Sequence, residues 1–160
     1  MDVFSSIRGY NQSMKILIKT QIDRDHNFVF SKFDEDLFRF LKPPLLKLEV
    51  KRFDGCKKGD EIHLAIGLGP MSMKWVSHIT ENSESDHENL FVDEGHILPP
   101  PLNYWKHIHR VIRIDDNLTE IQDDIEFSSG NAVLDRVIYP MLYFQFFLRK
   151  PAYKKFFKSL

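Results

Sequence analysis

FVDEGHILPPPLNYWKHIH, residues 91–109, holds a Phe-x-Asp at Phe91 and Asp93, a proline cluster, and then Trp105, His107 and His109 at every second position. A strand sends alternate side chains to opposite faces, so this spacing puts one indole and two imidazoles on one sheet face. That is too polar for an ordinary core and too apolar for a solvated face. It reads as the wall of a cavity.

Strands continue on both sides of this stretch. Ile16, Ile18 and Ile22 alternate with Lys15, Lys19 and Gln21 in a first strand beginning at Met14. Asp25 and Asp34 are placed to cap two short helices, the second carrying Leu37, Phe38 and Leu41 and stopped by Pro43-Pro44. Leu46, Leu48 and Val50 mark a second strand, and Ile62, Leu64 and Ile66 a third. Met71, Met73, Trp75, Ser77 and Ile79 share one face of a fourth. Residues 81–88 are polar and read as a loop, followed by strands over 90–94, 104–114 and 118–127. Ser128-Ser129-Gly130-Asn131 signals a helix start. Beyond it Leu134, Val137, Ile138, Met141 and Leu142 follow the spacing of a buried helix face, with Pro140 expected to kink or break it.

The expectation is an α+β domain over residues 14–160, preceded by an irregular arm over 1–13. A strand, two short helices and six more strands with short connections favour a curved antiparallel sheet. The C-terminal helix is the only element long enough to cover it. A ligand held between them would touch Met71, Met73, Trp75, Phe91 and Asp93 on one part of the sheet. It would touch Trp105, His107, His109, Asp123 and Ile125 on another, and Leu134, Val137, Ile138 and Met141 on the helix. Fourteen Phe residues suit a large core or an apolar pocket.

Composition excludes several classes. A net charge of −1 argues against a nucleic-acid-binding surface. No run of about 18 apolar residues suggests a membrane span, and the tail at Lys154–Lys158 is too short for stable membrane insertion. The N-terminus lacks a signal-peptide pattern, which makes the cytoplasm the expected location. The single Cys56 excludes an internal disulfide, and no His lies near it in sequence to activate the thiol. No phosphate loop or nucleophile elbow is present, so no cofactor is expected. Sheet edges offer a route to a homodimer without specifying one.

The motif order resembles the START-like, helix-grip superfamily, in its bacterial ligand-binding branch of polyketide cyclase/dehydrase-like proteins. The resemblance rests on Trp75 with Ile79-Thr80, and on Phe91 with Asp93. It continues through Trp105-x-His107-x-His109 and Thr119, Asp123, Ile125 and Phe127, then the aromatic helix with Phe144, Phe147 and Arg149. Pro100-Pro101 stands where that branch has Gly-Pro. The resemblance implies a hydrophobic ligand cavity and covers residues 14–157, but a fold of this kind hosts carriers, sensors and enzymes alike.

A three-residue loop at Asp115-Asp116-Asn117 would pair Ile114 with Leu118, setting His109 opposite Asp123 and His107 opposite Ile125. Three readings of His109 and Asp123 follow. They form a buried structural pair, or a general acid/base pair for cyclisation or dehydration, or a site for a ligand's polar headgroup. In each, the carboxylate would favour a protonated imidazole. His107, His109 and Asp123 also have the residue types of an open zinc site, but their spacing is not diagnostic and no metal is expected. A small-molecule binding protein is the leading reading. The cyclase or dehydratase and an interaction module with a filled cavity stand beside it.

Overall fold

The computed structural model describes residues 13–44 and 46–160; the expected arm, save Ser13, lies outside them. Seven strands form one antiparallel sheet in the order β1-β7-β6-β5-β4-β3-β2. They are β1 (Met14–Ile22), β2 (Lys47–Phe53), β3 (Glu61–Leu68), β4 (Met71–Glu84), β5 (Glu88–Ile97), β6 (Tyr104–Asp115) and β7 (Leu118–Ser128). Between β1 and β2 lie α1 (His26–Ser31) and α2 (Glu35–Phe40). The chain ends in α3 (Ala132–Phe147) and α4 (Arg149–Lys158).

Asp25 and Asp34 cap the short helices as expected, accepting from the backbone N–H of Phe28 and Leu37, both at 3.0 Å. β4 and β5 are longer than the sequence suggested. The expected loop at 81–88 shrinks to Ser85–His87, because Glu81 to Glu84 pair with Val92 to Asn89. A strand with both faces near solvent has no apolar alternation to mark it.

The β6–β7 register is the expected one, with His109 opposite Asp123 and His107 opposite Ile125. The turn differs. Asp115 pairs with Leu118, so the loop has two residues and a bulge falls between Arg113 and Asp115. The extra residue in the bulge leaves the inner register intact.

The C-terminal helix is interrupted at Leu148, not at Pro140, which lies within α3. Pro151 cannot donate to the carbonyl of Phe147, and its ring crowds that carbonyl, so the ladder breaks one turn upstream. The inward line nevertheless runs through both helices: Asp135, Ile138, Leu142, Phe146, Tyr153 and Phe157 are buried. Each step is three, four or seven residues, so α4 continues the face of α3. Burying Ile138, Leu142 and Phe146 against Ile16, Trp105, Ile125 and Phe127 stabilises the docked helix by about 1.5–3 kcal/mol per side chain.

Asp135 sets the rotation of α3. It accepts from Ser129 N at 2.6 Å and from Ser128 Oγ at 3.1 Å, tying the helix to the end of β7. Asn131 caps the same end, accepting from Val133 N and Leu134 N. Gly130 between them has φ of 82°, a left-handed conformation that favours glycine.

Candidate functional site

Between the sheet and α3 lies a cavity of about 460 Å³. Its floor is Leu64, Ile66, Met73, Trp75 and Trp105; its far wall is Ile138, Leu142 and Phe146 from α3. Pro43, Pro44, Leu46 and the Pro99–Pro101 turn line it from the loops. Polar groups gather at one end, where Asp93, His107, His109 and Arg149 reach the cavity.

That end is built by strand pairing. Asp93 on β5 pairs with His107 on β6, and Phe91 with His109. Phe91 stacks on His109 at 4.2 Å between ring centroids, and His109 on His107 at 3.6 Å. Trp105 meets Trp75 edge to face at 5.1 Å. One continuous aromatic row therefore crosses three strands, each ring fixed by its neighbours.

Asp123 sits behind this row. Its Oδ1 accepts a hydrogen bond from His107 Nε2 at 2.9 Å and one from the Tyr153 hydroxyl at 3.4 Å. Arg149 Nη1 is 3.5 Å away, with its guanidinium 4.3 Å over the Phe146 ring. Burial alone would raise the Asp123 pKa, but the His107 hydrogen bond and the Arg149 charge outweigh it and hold the carboxyl below its ordinary value. An ionised carboxylate only accepts, so His107 donates through Nε2.

His109 stands apart from that pair, although it is directly opposite Asp123 in register. Its Nδ1 lies 3.8 Å from Asp123 Oδ1, beyond hydrogen-bond range, and has no partner among the described residues. Burial, with the nearby positive charge of Arg149, pushes its pKa well below the ordinary value. The expected protonated His109 is therefore corrected to a neutral imidazole. The expected His109–Asp123 pair is corrected to His107–Asp123: stacked between Phe91 and His107, the His109 ring stops short of the carboxylate that His107 reaches. Asp93 moves the other way: burial raises its pKa against the pull of Ser77, His107 and Arg149. Burial also pushes Cys56 up to about 12, and its thiol donates to the Phe33 carbonyl at 3.3 Å.

Of the residues expected around a ligand, Met73, Trp75, Asp93, Trp105, His107, His109, Ile138 and Met141 line the cavity. Met71 does not; it is 70% exposed beside the Gly69-Pro70 turn. Phe91, Asp123 and Ile125 are buried a layer behind the wall. Leu134 and Val137 face outward, because Asp135 rather than an apolar residue starts the inward line. Arg149, Tyr153 and Phe146 are site residues that the sequence pattern does not place around a ligand. Their spacing along the inward line was the available signal, interrupted by Pro151.

His107, His109 and Asp123 offer ligand atoms within 4.8 Å of one another. They do not fit a cation well: Arg149 already brings positive charge to Asp123 Oδ1, which also accepts from His107.

No protein-family model matches the chain, and no curated protein matches it. Solved structures do. Zhui aromatase/cyclase from Streptomyces superposes with a TM-score of 0.68 at 11% identity, over 91% of this chain and 94% of that one. A point mutant of norcoclaurine synthase from Thalictrum, in complex with a transition-state analogue, gives 0.65 at 12%, over 92% and 95%. A Thermobifida fusca protein gives 0.66 at 13%, over 91% and 94%. At such identities the likeness speaks for architecture alone. With the seven-stranded sheet closed on α3 and α4, it identifies the chain's fold as the START-like helix grip.

Proposed function

We propose that this protein binds a small amphipathic molecule, an aromatic, polyketide-like or lipid-like compound, between the sheet and α3. The observation that carries this reading is the 460 Å³ cavity with apolar walls and one polar end. A volume above about 300 Å³ suits a small-molecule site and argues against a cavity filled by its own side chains. The apolar body of the ligand packs on Trp75, Trp105, Leu142 and Met73. Its polar group meets His109, Asp93 and Arg149. A hydroxyl or phenol suits this end, since neutral His109 accepts its hydrogen bond and Arg149 donates one to its oxygen.

Catalysis is the second reading, and one observation favours it. A neutral, unpaired imidazole beside a cavity is a proton acceptor in waiting. On this reading His109 is the base, and the His107–Asp123 pair with Arg149 holds it neutral and oriented. The same set explains binding without turnover, so binding is the primary reading. A homodimer would use β1 or β2, the two sheet edges.

Both tryptophans of the chain line the cavity, so intrinsic fluorescence reports its occupancy. Titration with naphthol or a short-chain fatty acid is expected to change that emission saturably. Leu142→Phe, which projects into the cavity, is expected to abolish the response while the protein stays folded. A response unchanged in this variant would place binding elsewhere.

A further inference from the structure

We propose that the outer face of α3, with the basic α4 beyond it, docks on an anionic phospholipid membrane. α3 is apolar on both faces. Its inner face packs on the sheet, but on the outer face Val137 is 67% exposed, Met141 64% and Phe144 56%. Val133 continues this stripe by one helical turn. A helix apolar all round is ordinarily buried, so an uncovered stripe of this kind marks a surface that meets something.

Charge selects what it meets. Residues 132–160 carry six basic side chains, five of them besides the inward-turned Arg149, and a single acid. That acid is Asp135, which is buried and turned inward. The remaining residues carry sixteen basic and twenty-two acidic side chains, so the near-neutral total hides a strong asymmetry. On α4, Lys154, Lys155 and Lys158 are exposed. Following the outer stripe from Met141 in steps of three or four residues passes Phe144, Leu148 and Pro151 and reaches Lys155 and Lys158. An apolar stripe continued by lysines is the pattern of a helix lying in a membrane interface. A second copy of the chain fits less well, because a two-fold contact pairs this basic face with itself and supplies no opposite charge.

Docking of this kind is peripheral; no helix among the described residues is long and apolar enough to cross a membrane. It requires no ligand in the cavity. Its geometry has a consequence, however. Met141 and Phe144 also line the cavity, so the mouth would open toward the bilayer.

The test is sedimentation with vesicles of phosphatidylcholine and phosphatidylglycerol in a two-to-one ratio, against vesicles of phosphatidylcholine alone. The protein is expected to pellet with the anionic vesicles and to be released as salt rises. A juxtamembrane basic residue contributes about fivefold in affinity, so Lys154→Glu/Lys155→Glu/Lys158→Glu is expected to weaken binding by on the order of a hundredfold. Val137→Ser/Met141→Ser/Phe144→Ser is expected to weaken it even at low salt. No pelleting of the wild type, or binding that neither salt nor either variant reduces, would overturn the proposal. So would a wild-type dimer in analytical ultracentrifugation that the serine variant dissolves, since a second copy would then cover this face.

Discussion

His109 makes stability depend on pH in a way that can be worked out from its surroundings. Its folded pKa is depressed well below the ordinary value, because burial and the charge of Arg149 oppose a proton there. In the unfolded chain the same imidazole titrates near 6.5. Below that pH the unfolded state takes up a proton that the folded state refuses, so stability falls as pH falls. Each pH unit between 6.5 and the folded pKa costs about 1.4 kcal/mol. The perturbation is His109→Phe, which keeps an aromatic ring against Phe91 and removes the titration. Urea unfolding of both proteins from pH 7.5 to pH 5 gives the difference in stability at each pH. The difference is expected to move toward the variant by about 1.4 kcal/mol per pH unit below 6.5, and to be flat above it. A difference independent of pH would mean that His109 titrates normally in the fold. The account of a neutral imidazole at the cavity would then be wrong.

Asp123→Ala leaves Arg149 and His107 without their buried partner and is expected to cost about 3–5 kcal/mol, measured by urea unfolding at pH 7. Because the Asp123 pKa is lowered in the fold, its contribution to stability holds above the unfolded carboxylate pKa and is lost as pH falls through the folded one, so the gap between wild type and variant is expected to narrow in acid. Ile125→Ala, a layer behind the cavity wall, is expected to lose about 2–5 kcal/mol while the folded fraction still responds to ligand in the fluorescence titration. Asn131→Ala removes the cap of α3 and is expected to lower stability by about 1 kcal/mol in thermal unfolding. Cys56 is expected to react with a disulfide reagent at pH 8 far more slowly in the native protein than in urea, since burial holds its pKa near 12.

The sheet and its register were legible because they rest on period-two patterns with strong contrast. Trp105, His107 and His109 against Lys106 and Arg110 left little choice of face, and the β6–β7 turn fixed the pairing even though its length was off by a bulged residue. The helix was harder. Its inward line begins with a carboxylate and later includes Arg149, so the stripe picked out by apolar spacing is rotated toward Leu134 and Val137. The charge network was legible only in part, because register puts Cα atoms opposite one another but not ring atoms. Asp123 faces His109 across the ladder, yet the stacking of Phe91, His109 and His107 decides which imidazole reaches it. Arg149 enters through the family resemblance, and its place at Asp123 follows from the inward line that α4 continues past the break at Leu148.

The central claim is that the cavity holds an amphipathic small molecule, and native mass spectrometry of the protein purified from its own host tests it most directly. The account predicts an adduct at near-equal stoichiometry, released on denaturation, whose extracted mass belongs to an apolar compound bearing a hydroxyl or similar polar group. It also predicts that Leu142→Phe, purified in the same way, carries none. A wild-type protein that is empty, and whose tryptophan emission stays unchanged across a panel of such compounds, would contradict it.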